Sequence, residues 1–229
     1  MGGLPHLRLY RQATVAALVL APALLLIDNL LHPEEFQRDN EAEQLAEAAA
    51  HATRWQVAHL FGFAAILVFV AAVLGLAFMV RRRRPLGGLL AGGAALLGLM
   101  GFAGAVVLDG FTWGILGELS GRAGTDQATL ETTLHEVQQS GWALPFYMTG
   151  IGFLVGLPVL AILAVRIGAV PGWAGALLAV GALMVGTETM ITSNAYFIAG
   201  AAVMLAGGIA VAAPLARMSD ADFAGGGPA

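Results

Sequence analysis

Four side chains stand out as able to do chemistry together: His59, Asp109, His135 and Glu188. Imidazole and carboxylate in this mix suit a divalent metal such as Zn, Mn or Fe. A water activated on such an ion beneath a lid would hydrolyse a lipid or another amphiphile. The spacing is not that of a known local motif, because neither HExxH nor HxxxH occurs. The four positions lie far apart in the chain, so only folding can gather them. Haem is the weaker expectation: His59 with His135 or His51 would supply two axial imidazoles, but only His59 lies inside an apolar run.

The same four residues belong to a larger asymmetry. Asp28, His32, His51, Glu118, Glu131 and Glu136 fall toward the same side of the apolar runs, and the opposite side carries arginine. Ionisable groups at membrane depth are costly and usually face a cavity or one another. There are no cysteines, which excludes disulfides, thiol nucleophiles and cysteine-ligated metals. With a net charge of −4 and no basic stripe, nucleic-acid binding has no support.

The elements that must position these groups are membrane helices. The 229-residue chain is 58% hydrophobic and only 11% charged, against about 25% charged residues in soluble domains. Its mean hydropathy is +0.79. The turn Arg81-Arg82-Arg83-Arg84-Pro85 separates two apolar runs, 55–80 and 86–108. Four arginines between two such runs mark a cytoplasmic turn. Further runs at 13–31, 142–165, 171–191 and one ending near Leu215 predict an all-α bundle of six transmembrane helices. Arg8, Arg11, Arg166 and Arg217 then fall on the same side as the turn, with both termini cytoplasmic. Every basic residue is arginine, and alanine and glycine abound, a composition of GC-rich bacteria. The expected location is the bacterial cytoplasmic membrane.

Residues 1–217 read as one transmembrane domain with outer segments 32–54 and 109–141, followed by a disordered tail, 218–229. The first outer segment is acidic, and its stretch 41–50 is strongly helix-forming. It reads as a solvated face or as a docking site for a basic protein partner. In the second outer segment, 110–120 reads as interfacial or re-entrant. A lid helix follows over 126–140, with Thr125 as its N-cap and Glu131 paired to His135 at i, i+4. Glycines crowd the third run, and Gly88 with Gly92 gives the spacing of closely packed helices, which predicts a central position.

Three functions follow from this layout. The leading one is a lidded, outward-facing polar pocket for a metal ion or an amphiphilic ligand, with hydrolysis as its chemistry. The second is a non-catalytic membrane subunit docking a partner through the acidic outer helix. The third is a transporter, restricted to apolar cargo because no charge sits at mid-bilayer and no span is broken at its centre.

Overall fold

Long apolar runs become helices because, in lipid, each backbone N–H and C=O must be satisfied within its own segment. The computed structural model describes residues 5–33, 40–139, 144–187, 191 and 193–225, and all regular structure among them is helical. Five stretches are long and apolar enough to cross a membrane: His6–Leu31, Ala52–Arg83, Pro85–Ser120, Tyr147–Arg166 and Asn194–Arg217. The expected sixth span is shorter. Helix α9 (Gly172–Gly186) has 15 residues, or about 22 Å at 1.5 Å per residue, less than the hydrocarbon core of ~30 Å. Residues 188–190, where a continuation would lie, are outside the described residues.

The long helices form a ring. Helix α1 (Pro5–Leu31) packs on α3 (Ala52–Arg83), and α3 packs on α4 (Pro85–Val107). Next comes a composite rod of α7 (Leu144–Gly150), a π-helical turn (Ile151–Gly156) and α8 (Leu157–Arg166). Helix α9 and α10 (Asn194–Arg217) follow, and α10 closes back on α1. The middle of the ring is solid. Phe69 and Phe153 meet edge to face at 6.1 Å, and Phe102 meets Phe153 at 5.5 Å. Leu76, Leu99, Leu160 and Met204 are fully buried around them.

The expectation of a central third helix is corrected here. Helix α4 is a ring member with two different faces. Its glycine face packs tightly, and a Cβ on Gly98 would collide with the backbone of Gly152. Its other face carries Leu86, Leu89, Leu90 and Met100, all more than half exposed. Small residues thus report how closely two backbones approach, not how many neighbours a helix has.

Nor does the rod end at Asp109. A π-helical turn, Leu108–Trp113, carries it straight into α5 (Gly114–Ser120), so no re-entrant segment forms. Helix α5, α2 (Glu41–Ala50) and α6 (Gln127–Gln139) build a cap at the end away from the arginines. The cap has its own small core, a buried cluster of Leu45, Ala48, Trp55, Trp113, Leu116, Leu130 and Leu134. The N-cap of α6 is Asp126 and not Thr125: its carboxylate accepts from the Thr129 N–H (3.4 Å) and hydroxyl (2.7 Å).

At the arginine end, Arg81, Arg82 and Arg83 extend α3, and Pro85 opens α4. The tail from Met218 is folded as far as Gly225, against the expectation of disorder. Ser219 caps the short helix α11 (Asp220–Phe223), and Phe223 is fully buried beside Tyr10 and Phe78. The Phe223 side chain and the Arg11–Asp220 ion pair anchor a segment whose composition alone reads as loose. Residues 226–229 lie outside the described residues.

Candidate metal centre

Three ring members end at one level beneath the cap, and each brings one polar side chain there. They are His32 just past α1, His59 in the second turn of α3 and Asp109 in the π-helical turn after α4. One ligand atom from each lies within 4.8 Å of the other two. His59 Nε2 stands 3.0 Å from Asp109 Oδ2.

The other ring nitrogens fix the chemistry. His59 Nδ1 is 2.7 Å from the Trp55 carbonyl, and His32 Nδ1 is 3.2 Å from the Pro33 carbonyl. A carbonyl only accepts, so both Nδ1 atoms carry hydrogen and donate. In each imidazole Nε2 is then the nitrogen not taken by a backbone carbonyl. This is the arrangement by which outer-shell partners orient metal-binding histidines. His59 Nε2 and Asp109 Oδ2 face each other at 3.0 Å, a contact that needs either a proton on the nitrogen or a cation between them.

The local sequence explains the positioning. His32 follows the last turn of α1, where its N–H donates to the Asp28 carbonyl at 2.8 Å. Arg54 closes that helix end by donating to the carbonyls of Leu31 (2.6 Å) and His32 (3.1 Å). Gly110 allows the π-helical turn to lie close against His59, because a Cβ there would come within 2.8 Å of the His59 Cβ and 2.9 Å of its Cγ. A π-helical turn inside an α-rod is a frequent mark of a functional position. Trp55 sits above: its ring centroid is 4.8 Å from that of His32 and 5.2 Å from that of His59, stacked on the latter. Its indole N–H donates to the Asp109 carbonyl at 3.2 Å.

One turn below His59, a second carboxylate is buried. Asp28 is 8% exposed, and its Oδ2 fits the notch left by Gly62, 3.0 Å from where a Cβ would stand. Its neighbour Asn29, also buried, donates to the Phe197 carbonyl at 3.2 Å and ties α1 to α10. Burial pushes the His32 imidazole below its ordinary range, and the nearby Asp109 carboxylate works against that shift.

Of the four residues expected to converge, His59 and Asp109 meet. His135 does not join them. It lies on the outer side of α6, where its Nδ1 stands 2.8 Å from Glu41 of α2 and not beside Glu131. Glu188 lies outside the described residues. His32 is the member that sequence reasoning missed. Its signal was its place one helical turn after Asp28, at the end of an apolar run and hence at the depth of His59. The acidic groups of α2 also find partners within the cap: Glu41 with His135, Glu43 with Asn40 and Glu47 with His51.

No protein-family profile matches this chain, and no curated protein or solved structure is significantly similar to it.

Proposed function

We propose that this chain is an integral membrane protein that binds one divalent transition-metal ion through His32, His59 and Asp109, beneath its helical cap. The observation that carries the reading is the matched state of the two imidazoles. Both have Nδ1 engaged by a backbone carbonyl, and each residue offers a ring nitrogen within 4.8 Å of the other and of one Asp109 carboxylate oxygen. Two histidines and one carboxylate are the donor set of hydrolytic zinc and non-haem iron(II) sites, and manganese accepts the same donors. Three protein ligands leave positions open for water or substrate, which favours hydrolysis over a purely structural role. Two carboxylates, the buried Asp28 and the partly exposed Asp109, match the double charge of the ion.

The depth fits a bilayer surface. The hydrocarbon core takes about twenty residues of helix. Counted from Arg11, Arg81 and Pro85, that length ends near Leu31, Phe61 and Ala105. All three ligands then stand within about one turn of the far boundary, where an amphiphile presents its head group. With the arginines cytoplasmic, the capped site faces outward, and α9 completes a sixth, thinner crossing. The solid middle of the ring gives little support to transport. The paired acidic side chains of α2 give little to docking.

The test is elemental analysis of protein purified without chelator or affinity-column metal, beside the variants His32→Ala and Asp109→Asn. One equivalent of zinc, manganese or iron, lost in both variants, is the expected result. Metal-free protein that takes up none of the three ions on dialysis would refute the reading.

A further inference from the structure

The cap and the candidate metal centre meet in one residue, and the consequence goes beyond what either does alone. Trp55 has no exposed surface and belongs to the cap core, in one buried cluster with Leu45, Leu116, Leu130 and Leu134. The same residue touches every ligand of the site. Its carbonyl accepts the His59 Nδ1–H, its indole N–H holds the backbone of Asp109, and its ring packs on both His32 and His59. A second link runs in parallel. The π-helical turn that begins beside Asp109 ends in Trp113, whose indole donates to the fully buried Gln44 of α2 at 3.2 Å.

We infer that Trp55 is a positioning residue that makes cap docking and metal binding one equilibrium, a conclusion that rests on the metal site proposed above. With the cap seated, the indole has a single place to lie and the three ligands are held at binding distance. With the cap released, Trp55 loses its surround of leucines, and the ligands gain freedom that binding must remove. Linkage is reciprocal: whatever affinity the cap lends to the metal, the metal returns as stability of the cap. The cap is thus an affinity-setting element for the ion, and any ligand that lifts it would loosen the ion.

The experiment uses the full chain in lipid nanodiscs with Zn²⁺ as the probe. One readout is affinity by competition with a chelator. The other is the rate of proteolysis in the 121–125 connection between α5 and α6. Co²⁺ replaces Zn²⁺ for a visible spectrum of the ligand set. Leu134→Ala removes a cap-core side chain remote from the ligands, and Trp55→Phe keeps the ring but deletes the N–H. Zn²⁺ should slow cleavage of the wild type on the order of tenfold, and Leu134→Ala should weaken Zn²⁺ by a similar factor, within the usual range of coupling. Its saturated Co²⁺ spectrum should stay that of the wild type, since the ligands are unchanged. Trp55→Phe should lower both effects, and the double variant should lose less than the two single losses combined. A Leu134→Ala protein that is cleaved faster yet binds Zn²⁺ as tightly as the wild type would overturn the coupling and leave the metal site standing. Wild type that binds neither ion would overturn both.

Discussion

The two ends of this bundle handle polar groups in opposite ways. At the arginine end, charges lie at the rim and tie the chain together. Arg11 pairs with Asp220 at 3.0 Å and donates to the last carbonyls of α10, Leu215 and Ala216. Arg83 reaches the Ile167 carbonyl at 2.7 Å, and Arg82 lies over the Phe78 ring. Arg82 and Arg83 stay exposed to water, where a guanidinium costs little, and the part-buried Arg11 closes a helix end with Asp220 as its counter-charge. At the capped end, imidazole and carboxylate are drawn inward and roofed by a second hydrophobic core. Burial there costs several kcal/mol per ion unless a counter-charge is present. One end spends its charge on architecture; the other concentrates it at a point, which is the pattern of a site.

That contrast can be broken by experiment, and the largest effect should come from a ligand. Structural zinc sites gain about 10–16 kcal/mol from four ligands, or roughly 3–4 kcal/mol each. His32→Ala should therefore weaken metal binding by on the order of two to three decades, read by calorimetric titration, with helix content unchanged. Metal affinity equal to wild type would remove His32 from the site. At the arginine end the expected cost is in stability alone. Phe223→Ala deletes a fully buried ring and should lower unfolding free energy by about 3 kcal/mol, with metal affinity untouched. If it altered the affinity, the two ends would not be separable.

Arg54→Ala sharpens the comparison, because it is an arginine doing helix-end work at the capped end. It should weaken the metal about tenfold to a hundredfold, as loss of an orienting partner does, while Arg11→Ala should not. The smallest effect concerns pH. The hydrogen bond from His135 holds the Glu41 carboxyl below its ordinary range, and those from Thr129 do the same for Asp126. A carboxylate depressed by folding contributes its full stability above the ordinary carboxylate range and loses it as pH falls through the lowered value. The cap should accordingly loosen toward acid, seen as falling hydrogen-exchange protection factors in α6, with those of the buried ring core unchanged. Protection that is flat with acid would show that neither contact fastens the cap.

Much of the fold was legible in the sequence, and the parts that were not share a cause. The Arg81–Arg84 turn and the long apolar runs depend on local composition, and they came out as helices. The pairing of His59 with Asp109 followed from depth, since both stand about the same number of residues from that turn. His32 escaped because its position depends on how α1 docks against α3, which no local pattern states. His135 was assigned to Glu131 by the i, i+4 rule, yet Glu41, 94 residues away in sequence, took its ring. The folded tail likewise turned on long-range contacts, of Phe223 with Tyr10 and Phe78 and of Asp220 with Arg11. Local signals gave elements and depth, whereas partners came from docking.

The π-helical turn at Leu108–Trp113 has a further consequence. Below it, the rod must present glycines to its ring neighbours; above it, Trp113 and Leu116 must face the cap core. An α-helix turns about 100° per residue, so the two demands are out of phase by whatever the intervening count leaves over. A wider turn takes up roughly one residue more than an α-turn and works as a shim between two rotational settings. Were the same residues to run as plain α-helix, the whole cap would swing by about a quarter turn relative to the ring. Asp109 sits in the shim itself. The carboxylate thus occupies the one stretch of the rod whose orientation is set by the disagreement between two cores rather than by either alone.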